Sequence, residues 1–258
     1  MRLLKRKSSK KIPCYVLVYD QVAIIKKTLA FLVTYADRLD IVIIENPSDN
    51  TPAISKLINS YGEKGLISRY YLFDSNITST AFGTAINAEL QTVKKAPFVL
   101  VTDGDLVVES EKWLDEEIAI LKRNPEVFAC GVSLDKSNLP LAAFPEAKDW
   151  VPPDIKSHPT FFEALTGCHL LLFRGRQFSD FMKWKNENNH NFVDGTMHHY
   201  CYEILGKKWS RTKHAEAYHL TWDLYQDKKN AYTKLKTKQS FKETWYHNRQ
   251  SEYTLKIY

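Results

Sequence analysis

The sequence predicts an α/β domain with a mostly parallel central sheet and helices on both faces. Two observations carry that prediction. Short apolar runs rich in β-branched residues alternate with helix-length amphipathic segments from residue 14 to residue 132. The acidic residues Glu45, Asp74, Asp103 and Asp105 each follow one of those runs. They should therefore gather at the carboxyl edge of a parallel sheet, where such sheets bind ligands.

The elements follow in order. CYVLVY (14–19) is a strand, and residues 22–36 place Ile25, Leu29, Leu32 and Ala36 on one helical face. IVIIE (41–45) is a second strand, closed by the polar turn NPSDNTP. A short helix over 53–60, the strand RYYLF (69–73) and a helix over 80–93 come next. FVLVT, inside PFVLVTDGDLVVE, is a buried strand. Ser110 is placed to cap a helix with Leu114, Ile118 and Leu121 along one face, and VFACGV (127–132) is another strand. Residues 135–160 read as a long loop, CHLLLF (168–173) as a strand, and 176–185 as a helix. Asp194 resembles the N-cap of a helix whose apolar face is Met197, Cys201 and Ile204.

The chain has 258 residues and a net charge of +6, with 44% hydrophobic and 26% charged residues, which describes an ordinary globular protein. Its start, MRLLKRKSSKK, lacks a long apolar core and is neither a signal peptide nor a membrane span. The end mixes lysines with Tyr, Phe and Trp. Such a segment suits an anionic membrane surface or a nucleic acid, and a solvated basic helix is the plainer reading. Cys14, Cys130, Cys168 and Cys201 are widely spaced, without zinc-site spacing, and read as free thiols in a reducing compartment. A cytoplasmic protein, peripheral at the inner face of the membrane, is the expected location.

Two carboxylates after a buried strand repel one another and resist burial. A divalent cation relieves that repulsion, and hard cations such as Mn2+ or Mg2+ favour oxygen donors. Taken alone, Asp103-Gly104-Asp105 serves a turn or a cap as well as a metal.

In sequence order, CYVLVYDQ, IVIIENPSDNT, DSNITSTAFGTAINAEL, VTDGD, TGCHLLLFRG, FVDGTMHHYCYEILGKKW and AEAYHLTWD span residues 14–223. Together they resemble the GT-A (Rossmann-like) glycosyltransferases, particularly the family-2-like inverting enzymes, over residues 12 to about 223. VTDGD is similar to the DxD motif of that family. Tyr19 and Asp20 stand where the family has a Tyr-Asn pair, and Glu45 where it commonly has Asp. Only Asp194, preceded by Val193, stands where a Glu-Asp pair is usual.

The resemblance implies a single GT-A domain over 12–228, with a nucleotide-sugar half (12–133) and an acceptor half (134–228). A basic extension (1–11) and a basic-aromatic tail (229–258) would flank it. Asp20 and Glu45 would contact the nucleotide, Asp103 the ribose or a metal-bound water, and Asp105 and His219 the metal. Asp194 would be the base that deprotonates the acceptor. His198, His199 and His214 compete with His219, and Glu203, Glu163 and Asp223 with Asp194. Trp150, Phe161, Trp184 and Trp222 are available for sugar stacking or for the core.

The implied partners are a nucleoside diphosphate sugar, a UDP-sugar first, and a glycan or glycolipid acceptor held near an anionic membrane. A retaining transferase or a nucleotidyltransferase is the rival, although YDQVAIIKK lacks the glycines of a phosphate loop. A nucleic-acid-binding module is the remaining alternative. Carboxylates gathered on one sheet edge would repel phosphates, so no nucleic acid is expected.

Overall fold

The computed structural model describes residues 11–238 and 250–258. Its first half alternates as the sequence predicts: β1 (Ile12–Tyr19), α1 (Val22–Leu32), β2 (Leu39–Asn46), α2 (Thr51–Gly62) and β3 (Arg69–Phe73). Then come α3 (Thr80–Ala88), α4 (Leu90–Lys95) and β4 (Phe98–Asp103). The single helix expected over 80–93 is broken at Glu89. That carboxylate accepts hydrogen bonds from Tyr15 Oη (2.9 Å) and Tyr71 Oη (2.8 Å) and lies 2.9 Å from Arg69 Nε. Three anchors in the sheet thus hold Glu89 outside helical geometry.

The second half is less regular. β5 (Leu106–Val108), α5 (Trp113–Arg123) and β6 (Val127–Leu134) precede the long loop, which holds a short 3-10 turn and β7 (Lys156–Ser157). Helix α5 starts after Lys112, so Ser110 does not cap it; its Oγ accepts from the Lys112 N–H at 3.4 Å. β8 (Phe162–Glu163), β9 (Leu171–Arg174), α6 (Gly175–Glu187) and α7 (Asp194–His199) follow. α7 runs into a π turn at Tyr200–Ile204 that leaves Ile204 exposed, so only Met197 and Cys201 of the expected apolar face are buried. β10 (Lys208–His219), α8 (Leu220–Tyr225), α9 (Ala231–Lys238) and β11 (Tyr253–Ile257) are the last elements among the described residues.

One sheet unites these strands in the order β11-β3-β2-β1-β4-β9-β6-β10-β8-β7, with β5 paired to β10. β3, β2, β1 and β4 are mutually parallel, as are β6 and β10, and the other pairings are antiparallel. Alternation along each strand splits the core in two. Cys14, Val16 and Val18 pack with α1, α2 and α5 on one face. Tyr15, Val42 and Ile44 pack with α3, α4 and α6 on the other.

The expected tail beyond residue 228 is not separate from this domain. β11 pairs antiparallel with β3, and Tyr253 packs 5.1 Å from Tyr71 and 5.4 Å from Phe73. α9 buries Tyr232 and Thr233. The physical cause is aromatic burial within a segment whose lysines disguise it. Residues 1–10 and 239–249, on which most of the membrane-surface expectation falls, lie outside the described residues. No helix among the described residues is long and apolar enough to cross a membrane.

Candidate functional site

A cavity of about 490 Å³ opens at the carboxyl ends of β1, β2 and β4. Strand parity decides which side chains reach it. Register partners in a parallel pair point to the same face, so Leu17 and Asp103 share a face, as do Tyr19 and Asn46. All four line the cavity. Glu45 pairs with Val18 and points to the opposite face. It is fully buried there, accepts a hydrogen bond from Tyr70 Oη and has its pKa raised by burial. The structure therefore turns Glu45 away from the cavity and presents Asn46 instead. Asn46 clamps the Asn76–Ser79 rim, accepting from the Ile77 N–H (3.1 Å) and donating to the Thr78 carbonyl (3.0 Å).

Asp20 sits at the rim with φ 61°, between two lining residues, and its carboxylate accepts from Gln21 Nε2 (2.7 Å) and Asn50 Nδ2 (3.1 Å). Asp74 is exposed on the same sheet edge, outside the cavity.

Asp103 and Asp105 both line the cavity. A Cβ on Gly104 would lie 2.7 Å from Val18 Cγ1 and 2.8 Å from the Leu17 carbonyl, so close approach to β1, not flexibility, requires the glycine. Burial and then the charges of Asp105 and Asp194 push the Asp103 carboxyl well above its usual range, with Lys236 opposing them.

The Asp105 corner reads as a relay. Thr221 Oγ1 lies 2.7 Å from Asp105 Oδ2 and 3.0 Å from His219 Nδ1. A carboxylate only accepts, so the one hydroxyl proton goes to Asp105 and His219 Nδ1 must donate to Thr221. In a neutral imidazole this arrangement leaves the Nε2 lone pair available, and Asp105 Oδ1 is buried without a hydrogen-bond partner among the described residues. His219 is held by stacking on Trp222, with centroids 4.6 Å apart and planes 1° apart.

Among the described residues, no group of three or more His, Cys, Asp or Glu side chains is gathered to enclose a metal ion. Asp105 Oδ1 and the His219 Nε2 lone pair are each the type of donor a divalent cation takes, with its remaining ligands supplied by a bound ligand and water.

His169, which sequence reasoning passed over as part of an apolar strand, also lines the cavity. β9 starts only at Leu171 because Leu170 adopts φ 50°, a left-handed conformation unusual for leucine. Three bonds hold this bend: Asp103 N–H to the Cys168 carbonyl (3.0 Å), Leu170 N–H to Thr102 Oγ1 (3.3 Å), and Val132 N–H to the His169 carbonyl (3.2 Å). Burial lowers the His169 pKa to about 3, so its imidazole is neutral.

Asp194 reaches the same cavity. It occupies the first turn of α7, with Val193 as the N-cap residue and no side-chain capping bond, so it is not the cap the sequence suggested. Its Oδ1 accepts from Cys168 Sγ at 3.7 Å, and burial raises its pKa to about 6. The competing carboxylates are engaged elsewhere or exposed: Glu163 with His158 and Lys208, Asp223 with Tyr218 and Asn138, and Glu203 in solvent. Of the competing histidines, His198 bonds the Thr166 carbonyl, His199 sits 5.9 Å from Trp184, and His214 is exposed. Trp150 and Trp222 form part of the wall, whereas Phe161 and Trp184 do not line it.

No protein-family model matches the chain. It is similar to uncharacterized proteins of Acanthamoeba polyphaga mimivirus. One is 43% identical over 237 residues, covering 89% of this chain and 47% of that protein. Another is 41% identical over 253 residues, covering 96% and 28%. The chain thus spans less than half the length of these relatives.

Among solved structures, one match is the mannosyltransferase PcManGT from Pyrobaculum calidifontis in complex with GDP-Man and Mn2+. Its TM-score is 0.52 at 15% identity, over 82% of this chain and 57% of that one. A second is GalNAc-T7 with UDP, GalNAc and Mn2+, with a TM-score of 0.53 at 11% identity, over 81% and 43%. The chain has a GT-A-type fold. The cavity lies at the carboxyl edge of its parallel strands and is lined by Asp103, Gly104 and Asp105.

Proposed function

We propose that this chain is a metal-assisted glycosyltransferase that moves a sugar from a nucleoside diphosphate sugar to a hydroxyl of a glycan or glycolipid acceptor, with inversion. The observation that carries the reading is the convergence of Asp103, Asp105, Asp194 and His219 on one cavity at the sheet's carboxyl edge. A donor bound to metal is the reading that gives the unpartnered Asp105 Oδ1 and the free His219 nitrogen a use. Those two residues would hold the cation. When bound, it supplies Lewis-acid stabilisation of charge on the departing diphosphate.

Asp194 is the proposed base. With a pKa near 6 it is ionised at neutral pH yet basic enough to take a proton in the transition state. The acceptor oxygen forms its bond to the anomeric carbon, its proton passes to Asp194, and the bond from that carbon to the diphosphate oxygen breaks with its electron pair. Attack opposite the leaving group inverts the centre. Neutral His169 provides a hydrogen-bonding group beside Asp194 without adding charge.

Calorimetry with UDP and GDP, with Mn2+ and with EDTA, tests the donor side, followed by turnover of UDP-sugars and GDP-mannose. Binding should require the metal and fall at least about tenfold in Asp105→Ala. Metal-independent binding, unaltered in that variant, would sink the metal-assisted reading.

A further inference from the structure

Charge in the cavity is lopsided. Asp103, Asp105 and Asp194 line it, and Asp20 sits at its rim. Among the described residues, Lys236 of α9 is the only lysine or arginine that lines it. On the reading proposed above, a donor carrying two negative charges on its diphosphate must enter this acidic space. One divalent cation offsets only two charges, so the entering ligand still meets a field of its own sign.

Lys236 is placed for that task and is not spent on another. Its ammonium lies 5.6 Å from the Tyr19 ring centroid and 5.8 Å from that of Tyr232. Among the described residues it forms no ion pair within 4.0 Å. Burial works against its charge, and Asp105, Asp103 and Asp20 work for it, in that order. A half-buried ammonium without a close ion pair is costly unless aromatic faces and nearby carboxylates sustain it.

The helix carrying Lys236 is braced against the metal corner. Tyr232 stacks on Tyr225 at 6.0 Å and 15°, and Thr233 Oγ1 donates to the Leu224 carbonyl at 2.8 Å. Tyr225 and Leu224 belong to α8, which also carries Thr221 and Trp222, the two supports of His219.

We propose that Lys236 is the diphosphate-binding cation of this site, and that in the nucleotide-free protein its ammonium provides the counter-charge for Asp103 and Asp105 that a divalent cation provides in the loaded one. Two consequences have opposite signs. Lys236 competes with a metal that arrives alone, because both are drawn to the same carboxylates. It cooperates with a metal that arrives with a diphosphate, because the ammonium then turns to the phosphate oxygens.

The test is calorimetry on Lys236→Met, which keeps the stem over the aromatic rings, with Lys236→Gln as a second neutral variant and Lys236→Arg as the charge-preserving one. Titrated with Mn2+ alone, the neutral variants should bind several-fold more tightly than wild type. Titrated with UDP or GDP in saturating Mn2+, they should bind at least about tenfold more weakly, whereas Lys236→Arg should stay within a few-fold of wild type.

Wild-type nucleotide affinity in the neutral variants would overturn the assignment while leaving the proposed function standing. Parallel loss of Mn2+ and nucleotide affinity with a lowered Tm in both neutral variants would also overturn it, making Lys236 a structural residue. Absence of Mn2+-dependent binding of UDP and GDP by the wild-type protein would remove both readings together.

Discussion

Residues 12–105 and residues 106–258 build the cavity in different ways. The first segment lays down β1 to β4 as a regular parallel shelf, and the groups it presents are fixed by strand parity: Leu17, Tyr19, Asn46 and Asp103. The second reaches the cavity from a bend, a loop, a strand end and short helices, and from there come His169, Trp150, His219, Asp194 and Lys236. Regular structure makes a floor whose polar groups can only alternate up and down. Irregular structure, with Leu170 at φ 50° as its clearest mark, aims side chains that alternation would have sent elsewhere. If this division holds, changing single side chains that the second segment aims into the cavity should chiefly change chemistry, and changing those of the parallel shelf should chiefly change stability.

The largest effect is expected where the two segments share one sheet. Deleting residues 229–258 removes β11 from β3, takes Tyr253 off Tyr71 and Phe73, strips Tyr258 from Gly62, and uncovers the place of buried Tyr232. Three aromatic contacts and a five-residue ladder are worth on the order of 5 kcal/mol, a large share of a domain's stability. Urea unfolding should show the truncated chain unfolded or close to it. A truncated chain with wild-type unfolding free energy would restore the tail as a separate segment.

Next in size is Asp194→Asn. Loss of the base should lower turnover on the order of a hundredfold, equivalent to about 2.7 kcal/mol of barrier, with donor affinity preserved. Wild-type turnover should fall as pH drops through about 6, and the variant should lose that limb. Stability should move the other way. A carboxylate with a raised folded-state pKa stabilises the fold below its unfolded value, and that contribution is lost as pH rises through about 6. The variant should therefore gain Tm relative to wild type most at pH 8, less at pH 5 and not at pH 3. Near-normal turnover by the Asn variant would remove Asp194 from proton transfer.

Legibility from sequence divides along the same line. RYYLF was readable to the residue as β3, and the Asp103/Asp105 pair was readable as a site because nothing local explains two carboxylates after so apolar a strand. β10 was not foreseen, since its lysines, arginine and histidines interrupt the apolar alternation that marks a strand. β11 was hidden for a related reason: it is an edge strand, mostly exposed, in a lysine-rich tail. Lys236 was lost in that same basic run, which reads as solvated surface. His169 was absorbed into CHLLLF because only a left-handed leucine, invisible to periodicity, lifts it out of the strand. Asn46 follows only once the register is known: parity with Asp103 through β1 prefers it to Glu45.

A pair of glycines sharpens the contrast at a smaller scale. Gly104 in the first segment has no room for a methyl, whereas a Cβ on Gly195 at the start of α7 meets nothing within 4 Å. Gly104→Ala should cost about 1–3 kcal/mol through overpacking against β1. It should also weaken Mn2+-dependent nucleotide binding, because both aspartates move with the turn. Gly195→Ala should be neutral or stabilising by up to about 1 kcal/mol, since alanine loses less backbone entropy in a helix. Equal effects on Tm from the two substitutions would contradict a tightly packed floor.

The smallest effect is expected at Glu45, where the resemblance and the geometry part. A residue contacting the nucleotide should lose binding when its charge is removed. Glu45 instead faces away from the cavity, with Tyr70 Oη as its donor. Glu45→Gln keeps an acceptor for Tyr70 and removes the ionisable group, so nucleotide affinity in Mn2+ should stay within about twofold of wild type. Stability should carry the signature. Burial raises the Glu45 pKa in the fold, so its contribution is favourable below the unfolded value and is lost as the group is forced to ionise at higher pH. The Tm difference between Gln variant and wild type should therefore grow from pH 5 to pH 8 in favour of the variant. A tenfold loss of nucleotide affinity at unchanged Tm would place Glu45 on the ligand and show that β2 twists its end away from the parity that assigns Asn46.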